Sequence, residues 1–410
     1  MYFYERGELK LGIPNFNALE VEALARSVAG PCYIYDLDDI ERRSTALGQA
    51  LEGINHGVHY AMKANANDTI LRRLCSLGAG VDTVSGGEIQ LAIEAGIHPE
   101  KIILSGVGKT VSEIELALRS RIKQINVESP QELKRIAAIA ARLKVTANIV
   151  LRMNPDVSPK THPYITTGFR ENKFGLGESF LPELIEIFRA SPQELKLCGL
   201  SIHIGSLLFD TGVMREAIDK TLKVYRNLQS MNFDLDRFDI GGGLGIHYET
   251  ADDSKDFALI SEYGLMVQDA FKDLKREPRF ELLIEPGRIL VARSGLLVTE
   301  VQYVKRTPDK TFVIVDSGMN HLLRPALYGA THRILPLRQL TSAAETVDVV
   351  GPICESSDFF AKNIALPRLQ EGDLIGIADT GAYGFSMASR YNQHRLPSEV
   401  CVSRNRVVMI

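Results

Sequence analysis

The chain of 410 residues has few cysteines, and they follow no metal-binding pattern. The five cysteines are scattered, none forms a CxxC pair, and the nine histidines show no HExxH spacing. This distribution argues against a disulfide framework and against a structural zinc site. We therefore expect no bound metal and a reducing, cytoplasmic location.

Long apolar runs and basic runs are also missing. No apolar stretch approaches the roughly 18 residues that a membrane-spanning helix needs. The N-terminal sequence, Met-Tyr-Phe-Tyr-Glu-Arg-Gly-Glu, lacks the basic and apolar regions of a signal peptide. The formal net charge is −4, and no basic run is present that would release counterions from a nucleic acid or an anionic membrane. We expect neither nucleic acid nor membrane among the partners.

From residue 36 to 284, short β-branched or aromatic runs alternate with helical patterns. Eight such runs are present, at 58–62, 81–83, 102–105, 124–127, 147–153, 197–203, 237–240 and 281–284. Sequences typical of helix capping boxes stand at 85–88 and 129–132. Eight strands separated by helices is the count of a (β/α)8, TIM-like barrel. An open doubly wound sheet has the same local pattern, so the count alone leaves closure undecided.

After residue 284 the pattern changes to strands joined by turns, with little helical periodicity. Strand-like runs occur at 296–304, 311–316, 347–350, 374–378 and 400–402. This pattern predicts a C-terminal all-β domain. The sequence thus predicts an α/β protein with two domains, a barrel over 36–284 and a β domain over 285–410. Residues 1–35 are expected to pack on the β domain.

Polar and glycine-rich signals stand where predicted barrel strands end. Lys63 ends the first strand, His203 the sixth and Glu285 the eighth, and three glycines at 241–243 follow the seventh. Each alone has an ordinary explanation: a solvated lysine, a structural histidine, a turn-capping carboxylate or a close-packing turn. In a barrel, however, all these strand ends meet at one mouth, where active sites lie.

Together these groups match the needs of pyridoxal 5′-phosphate. A lysine amine captures its aldehyde, and glycine N–H groups hold its phosphate. An aromatic ring covers one face, and a carboxylate keeps the pyridine nitrogen protonated so that the ring accepts electrons. The sequence therefore predicts a site for this cofactor at Lys63.

At these residues the chain resembles the fold-type III pyridoxal-phosphate-dependent decarboxylases, over nearly its whole length. The resemblance is carried by residues 60–65, 154–156, 161–164, 171–175, 203–206, 241–243, 285–288, 324–328, 351–355 and 381–384. The blocks at 161–175 and 354–355 point to the branch that acts on diaminopimelate. The resemblance implies a barrel followed by a β domain, as in alanine racemase. It also implies decarboxylation of meso-2,6-diaminopimelate to L-lysine, the last step of lysine biosynthesis.

The resemblance also implies a role for each matched residue. Lys63 corresponds to the Schiff-base lysine, His203 to the residue that stacks on the cofactor ring, and Glu285 to the partner of the pyridine nitrogen. The implied phosphate site comprises Ser206, the turn of Gly241, Gly242 and Gly243, the backbone of Gly287 and Arg288, and Tyr383. The implied substrate site comprises Arg288, Arg324, Tyr328 and Tyr383 for a carboxylate and Glu355 for an ammonium. Cys354 corresponds to the acid that protonates the carbanion.

In this family the residues at Cys354 and Glu355 come from the neighbouring subunit, which implies a homodimer with shared active sites. Two positions depart from the family pattern: Ser357 stands where glycine is usual, and Arg390 where asparagine is expected. A serine resists the positive φ that glycine allows, so the departure at Ser357 predicts a changed turn. Both departures bear on fine substrate preference.

Alternative functions remain open from the sequence. A sister decarboxylase would act on ornithine, lysine or carboxynorspermidine, which lack the distal amino-acid group of diaminopimelate. The pair Arg288 and Arg324 favours a dicarboxylic substrate, since both guanidiniums would otherwise be left unpaired. They could instead brace the contact between domains. An amino-acid racemase or a non-catalytic cofactor carrier is a further alternative, disfavoured by Glu285 and by the Cys354–Glu355 pair.

Overall fold

The computed structural model describes residues 2–13, 16–157 and 173–409, and it divides into two compact units. The first unit, here called the sheet unit, comprises Met1–Arg43, Ile246–Asp253 and Arg288–Ile410. The second, the barrel unit, comprises Ser44–Gly245 and Ser254–Gly287. The resemblance block at 161–164 and the first two residues of the block at 171–175 lie outside the described residues.

The helices and strands are numbered in chain order. The strands are β1 (Tyr2–Glu5), β2 (Glu8–Ile13), β3 (Phe16–Glu20), β4 (Cys32–Asp36), β5 (His56–Ala61), β6 (Gly80–Thr83), β7 (Ile102–Leu104), β8 (Gln124–Val127), β9 (Ala147–Met153), β10 (Leu195–Ile202), β11 (Arg237–Asp239), β12 (Glu281–Ile284), β13 (Gly295–Arg306), β14 (Thr311–Val315), β15 (Ile334–Pro336), β16 (Ala344–Val350), β17 (Phe359–Pro367), β18 (Leu374–Ala378), β19 (Ser398–Ser403) and β20 (Arg406–Met409). The α-helices are α1 (Val21–Arg26), α2 (Leu37–Ala50), α3 (Asp68–Ser76), α4 (Gly86–Glu94), α5 (Val111–Ser120), α6 (Pro130–Leu143), α7 (Leu181–Ala190), α8 (Thr211–Ser230), α9 (Ser254–Ala270), α10 (Arg288–Val291) and α11 (Arg324–Tyr328).

Strands β5 to β12 form a closed barrel in which every neighbouring pair is parallel. The pairing of β12 with β5 closes it. The predicted (β/α)8 barrel is confirmed, and the open doubly wound sheet is excluded. All eight predicted strands are present, three of them with the predicted bounds: β8, β9 and β12. Closure brings the carboxyl ends of all eight strands to one end of the barrel.

Two barrel helices begin at the predicted serine caps, but neither forms a reciprocal capping box. The Ser85 and Ser129 hydroxyls accept the N–H groups of Glu88 and Glu132, as expected. The Glu132 carboxylate, however, accepts the N–H of Glu128, the residue before the cap, and Glu88 likewise bonds to the residue before its own cap. A reciprocal box is present instead at α5, capped by Thr110. Among the described residues, no helix is long and apolar enough to cross a membrane.

The sheet unit is built mainly of antiparallel strands, which agrees with the predicted β domain. Its largest sheet has the order β17-β16-β14-β13-β4-β19-β20, with β18 pairing to β13 and β15 to β18. Strands β1 to β3 form a separate sheet. Strand β4, from the N-terminal segment, lies between β13 and β19. Strands β15, β17 and β20 were missed in the sequence because their side chains alternate weakly or the runs are short, and strands β1 to β4 were not predicted either.

Candidate active site

Three of the predicted site residues meet at the carboxyl end of the barrel. Lys63 lies in a short 3-10 turn, Met62–Ala64, directly after β5. His203 follows β10 and Glu285 follows β12. These strand ends lie at one end of the closed barrel, and after burial the positive charge of Lys63 is a further influence that lowers the pKa of both His203 and Glu285. The structure therefore places the amine, the imidazole and the carboxyl group in one site.

The glycine turn at 241–243 is packed tightly against its neighbours. A Cβ on Gly242 would lie 2.1 Å from the carbonyl oxygen of Glu285, and one on Gly243 would lie 2.5 Å from that of Gly205. Gly241 and Gly243 have φ of 65° and 126°, values that favour glycine. Close packing alone therefore requires these glycines, and their role as phosphate ligands stays a prediction.

His203 is held as a neutral imidazole. Its Nδ1 accepts a hydrogen bond from the backbone N–H of Gly242 at 3.2 Å, so its proton is on Nε2. Burial of the ring, and then the positive charges of Lys63 and Arg152, hold the pKa of His203 well below its ordinary value. A neutral ring fixed in this way can stack on a flat ligand without adding charge.

Glu285 belongs to a cluster of buried carboxyl groups. Burial, and then the negative charges of Asp239 and Asp82, raise the pKa of Glu285 well above its ordinary value, although Lys63 opposes this. Burial also raises the pKa of Asp239 to about 6. The amide Nδ2 of Asn126 donates to Glu285 Oε1 at 3.2 Å. This environment favours the protonated form of Glu285, which can share a proton with a basic ring nitrogen placed against it.

Glu285 has polar neighbours that were not predicted from the sequence. Asp82, Asn126 and Asp239 lie inside barrel strands, and all three are buried. Gln124 Nε2 donates to Asn126 Oδ1 at 2.9 Å, and Gly241 N–H donates to Asp239 Oδ1 at 2.9 Å. Polar residues at alternate positions of a barrel strand could have indicated these neighbours. Residues two apart in a strand lie on the same face, so such residues form one polar face.

Ser206 and Gly287 also lie in loops at the ends of barrel strands. Ser206 is half-buried, in the loop that follows β10. A Cβ on Gly287 would lie 3.2 Å from the Cβ of Ala64, the residue after Lys63. Gly287 is therefore adjacent to the lysine turn, as the predicted cofactor site requires.

Two predicted substrate arginines are buried together with tyrosines in the sheet unit. Arg288 Nη1 donates to the Tyr248 hydroxyl at 2.7 Å, and its guanidinium carbon lies 4.8 Å from the centre of the Tyr383 ring. The guanidinium carbon of Arg324 lies 4.7 Å from the centre of the Tyr248 ring. Such cation–π contacts orient a guanidinium without neutralising its charge. Tyr248, which contacts both arginines, was not singled out in the sequence.

Arg324 is bonded to a neutral base. Its Nη1 donates to His332 Nε2 at 2.8 Å, while His332 Nδ1 donates to the carbonyl of Ala378 at 2.9 Å. Burial, and then the charge of Arg324, lower the pKa of His332 to about 3. Within the described ranges, no carboxylate forms an ion pair with Arg324. Arg324 is only 3% exposed, and burial of a guanidinium without an anion costs free energy. Arg324 is therefore suited to bind an anionic group.

Tyr328 and Tyr383 accompany the arginines. Tyr328 ends the short helix α11 that Arg324 begins, and residues four apart in a helix share a face. Tyr383 has φ of 57°, a left-handed conformation that is strained for a residue with a side chain. The structure thus brings Arg288, Arg324 and Tyr383 together, with Tyr248 and His332 as further members.

Cys354 and Glu355 are exposed residues in a turn of the sheet unit. The backbone N–H of Cys354 donates to Asn392 Oδ1 at 3.1 Å, and the Tyr391 hydroxyl donates to Glu355 Oε1 at 2.5 Å. Ser357 is not among the residues with positive φ, so the expected conflict between serine and a left-handed turn does not arise.

The barrel residues fit the predicted cofactor. The glycine turn leaves no room for a side chain, the imidazole of His203 is neutral, and the carboxyl group of Glu285 is buried with a raised pKa. An amine follows β5 at Lys63. This donor set suits a flat ring with a basic nitrogen, an aldehyde and a phosphate.

Comparisons with known proteins agree with this chemistry. Residues 37–292 match the family described as "Pyridoxal-dependent decarboxylase, pyridoxal binding domain". A protein of Aquifex aeolicus named diaminopimelate decarboxylase is 39% identical over 99% of this chain and 93% of its own length. The crystal structure of diaminopimelate decarboxylase from Helicobacter pylori complexed with L-lysine has a TM-score of 0.88 at 43% identity, over 94% of each chain. A structure of the M. jannaschii enzyme, also with L-lysine, has a TM-score of 0.89 at 33% identity, covering 99% of this chain and 93% of that one.

Proposed function

Because the chain belongs to the pyridoxal-dependent decarboxylases, and within them to the diaminopimelate decarboxylases, we propose that the residues assembled above carry out that reaction. The activity is decarboxylation of meso-2,6-diaminopimelate to L-lysine and carbon dioxide, with pyridoxal phosphate as cofactor. The observation that supports the residue assignments best is the meeting of Lys63, His203 and Glu285 at one end of a closed barrel.

Pyridoxal phosphate supplies, when bound, an aldehyde for amine capture and a ring that accepts the electron pair of the broken bond. Lys63 provides the amine that holds it. Glu285 would hold the ring nitrogen and share a proton with it, since its raised pKa makes it a ready proton donor. His203 would cover one ring face as a neutral group. The proposed phosphate ligands are Ser206, Gly241, Gly242, Gly243, Gly287, Arg288 and Tyr383.

The arginine cluster binds the distal carboxylate of the substrate. Arg288, Arg324 and Tyr328 together offer guanidinium and hydroxyl donors, which suit a carboxylate. A carboxylate would give buried Arg324 the anion that it lacks among the described residues. Glu355 binds the ammonium at the same end. A monocarboxylic diamine would leave the buried guanidinium of Arg324 without an anion, which is why we assign the dicarboxylic substrate.

Cys354 is proposed as the acid that completes the reaction. A thiol transfers protons readily near neutral pH, and this one is exposed rather than enclosed in a core. It delivers a proton to the carbon from which carbon dioxide has left. Which bond of the substrate breaks is determined by how Arg288 and Arg324 orient the substrate.

Substitution of Arg324 tests the substrate assignment. Arg324→Ala removes a buried positive charge, and we expect KM for diaminopimelate to rise by about 100-fold or more, corresponding to about 3 kcal/mol. Arg338→Ala, at an exposed arginine paired with Glu22, is the matched control. Turnover is measured as carbon dioxide release with diaminopimelate, ornithine, lysine and carboxynorspermidine.

An unchanged KM in Arg324→Ala would remove this residue from the substrate site. Faster release of carbon dioxide from ornithine, lysine or carboxynorspermidine than from diaminopimelate would contradict the proposed substrate. Proton exchange at Cα without carbon dioxide release would indicate a racemase.

We further propose a homodimer in which Cys354 and Glu355 serve the active site of the partner. Their exposure on the surface of the sheet unit supports this, since a substrate-binding pair must be covered to exclude water. Light scattering should give the mass of a dimer. Inactive Lys63→Ala and inactive Cys354→Ala chains, mixed and allowed to exchange, should then recover about a quarter of the wild-type activity, because half of the dimers carry one intact site. No recovery from mixed dimers would contradict sharing.

We also propose a cytoplasmic location, because all five cysteines are free, as in a reducing compartment. Cell fractionation tests it, and recovery of the protein outside the cytoplasmic fraction would overturn it.

A further inference from the structure

Two consecutive residues, Tyr391 and Asn392, form hydrogen bonds with Glu355 and Cys354, the two consecutive residues proposed for the active site. The Tyr391 hydroxyl donates to Glu355 Oε1 at 2.5 Å. Asn392 Oδ1 accepts the backbone N–H of Cys354 at 3.1 Å. We call Tyr391 and Asn392 the 391–392 clamp. Each member of the Cys354–Glu355 pair is thus attached to one member of the clamp.

The backbone of this segment adopts an unusual conformation. Asn392 has φ of 52° and ψ of 24°, and Gln393 has φ of 61°. Both values are left-handed, a conformation that asparagine tolerates better than most residues. Such backbone conformations persist only where the surroundings hold them, and they cluster at functional sites. The conformation turns the amide of Asn392 toward the site turn, where it meets Cys354.

We infer that the 391–392 clamp positions Glu355 and Cys354 for their proposed roles, and this inference rests on the proposed function. Tyr391 occupies one carboxylate oxygen of Glu355, which leaves the other oxygen for the substrate ammonium. Asn392 fixes the backbone of Cys354 and thereby the position of its thiol. Tyr391 is therefore a positioning residue for substrate binding, and Asn392 one for proton delivery.

A purely structural role for the clamp predicts a different result. Tyr391 is 45% exposed and Glu355 is also exposed. Hydrogen bonds between exposed side chains contribute little to folding, so loss of this one should not change stability measurably. If the clamp acts in catalysis, its loss changes kinetic constants while the unfolding transition stays in place.

The proposed role of Tyr391 predicts that its substitution changes KM and leaves kcat nearly unchanged. Tyr391→Phe removes only the hydroxyl, and we expect KM for diaminopimelate to rise about tenfold while kcat stays within about twofold. Tyr303→Phe, at a tyrosine that is 64% exposed in β13, is the matched control and should change neither constant. An unchanged KM in Tyr391→Phe would overturn the role of Tyr391.

Asn392 is tested with a variant that keeps the backbone conformation. Asn392→Gly adopts the left-handed φ without strain and loses only the amide, so kcat should fall about tenfold with a smaller change in KM. Asn392→Asp retains an acceptor oxygen and should restore at least about half of kcat. A normal kcat in Asn392→Gly would overturn the role of Asn392.

A spectroscopic measurement tests the contact itself, without turnover. The hydrogen bond to Glu355, and the charge of that carboxylate, raise the pKa of Tyr391. In protein labelled with 13C at the tyrosine ring carbon that bears the hydroxyl, the Tyr391 signal, identified by its loss in Tyr391→Phe, should titrate at lower pH in Glu355→Gln. An identical titration in both proteins would show that the contact is absent.

The kinetics of Glu355→Gln separate this inference from the proposed function. If Glu355→Gln leaves KM unchanged, Glu355 is not the ammonium ligand, and the proposed role fails together with the inference built on it. If Glu355→Gln raises KM but Tyr391→Phe does not, the proposed function stands and the positioning role alone is overturned.

Discussion

Protonation states of single residues determine what the end of the barrel can do. The imidazole of His203 is neutral because a backbone N–H occupies its Nδ1. Burial and two neighbouring carboxyl groups oppose the ionisation of Glu285 and raise its pKa. A carboxyl group that is reluctant to ionise, beside a neutral imidazole and an amine, forms a site in which a basic ring can accept a proton.

At the residue scale, Asp239 should make stability depend on pH. Burial raises its pKa from an ordinary 3.8 to about 6, so between these values the folded state binds more protons than the unfolded state. The stability of the cofactor-free protein should therefore fall as pH rises from about 4 to about 6, by about 2 kcal/mol from this group. In Asp239→Asn, the part of this decrease in stability that comes from Asp239 should be absent.

Urea unfolding of the cofactor-free protein at pH 4, 5, 6 and 8 measures this effect. Asp309→Asn, at an exposed turn residue, is the control and should keep the wild-type pH dependence. If Asp239→Asn lost stability between pH 4 and 6 as steeply as the wild type, Asp239 would not be the titrating group.

At the scale of single elements, the loops after the barrel strands hold the site residues. The turn at 241–243 is in contact with the loops after β10 and β12, and its glycines are in close contact with their backbone. Each of these loops therefore depends on its neighbours for its conformation, and a side chain added to one displaces another. This dependence makes the glycine turn part of the site, whether or not its N–H groups bind phosphate.

The glycine turn predicts a strong effect for a small substitution. In Gly242→Ala, the new Cβ would lie 2.1 Å from the carbonyl oxygen of Glu285, a distance that requires the backbone to move. Affinity for pyridoxal phosphate should fall by about tenfold or more, because Glu285 and His203 shift with the turn. Titration of the visible absorbance of bound cofactor measures this.

Gly108→Ala is the control for the glycine turn, since a Cβ there would meet no atom within 4 Å. Cofactor affinity should stay at the wild-type value in that variant. Wild-type affinity in Gly242→Ala as well would indicate that the turn yields without disturbing the site.

At the scale of the whole molecule, the sheet unit is assembled from three separate chain segments. Arg43, which is completely buried, joins two of them through Asp39 Oδ2 at 2.9 Å and Asp253 Oδ2 at 2.8 Å. Arg42 contacts the same two aspartates from an exposed position. The insertion of Ile246–Asp253, which carries Tyr248, is thus tied to the N-terminal segment by charge.

This difference in burial predicts unequal effects for two neighbouring arginines. Arg43→Ala leaves buried Asp39 without its enclosed partner, and we expect a loss of about 3 to 5 kcal/mol in the free energy of unfolding. Arg42→Ala, at the exposed arginine, should cost about 1 kcal/mol or less. Equal losses in denaturant unfolding would contradict the dependence on burial.

Sequence patterns predicted the barrel well because its signals are local. Most of the strands contain short β-branched or aromatic runs, and each of the two predicted helix starts has a serine whose hydroxyl accepts a nearby N–H. Lys63, His203 and Glu285 were found because active sites of such barrels lie after their strands, so position along the chain was informative. Weakly patterned strands of the sheet unit, such as β15, were not found.

The order of the eight strands along the chain, the two kinds of architecture and the identity of the groups at the barrel mouth follow from local sequence patterns. Closure of the barrel, the positions of Asn126 and Asp239 beside Glu285, and the contact of Tyr248 with both arginines are seen only in the folded chain. The two sets differ in how far apart along the chain the interacting residues are. Propensity and capping depend on residues a few positions apart, whereas the charge state of a buried group depends on side chains that are brought to it from distant parts of the chain.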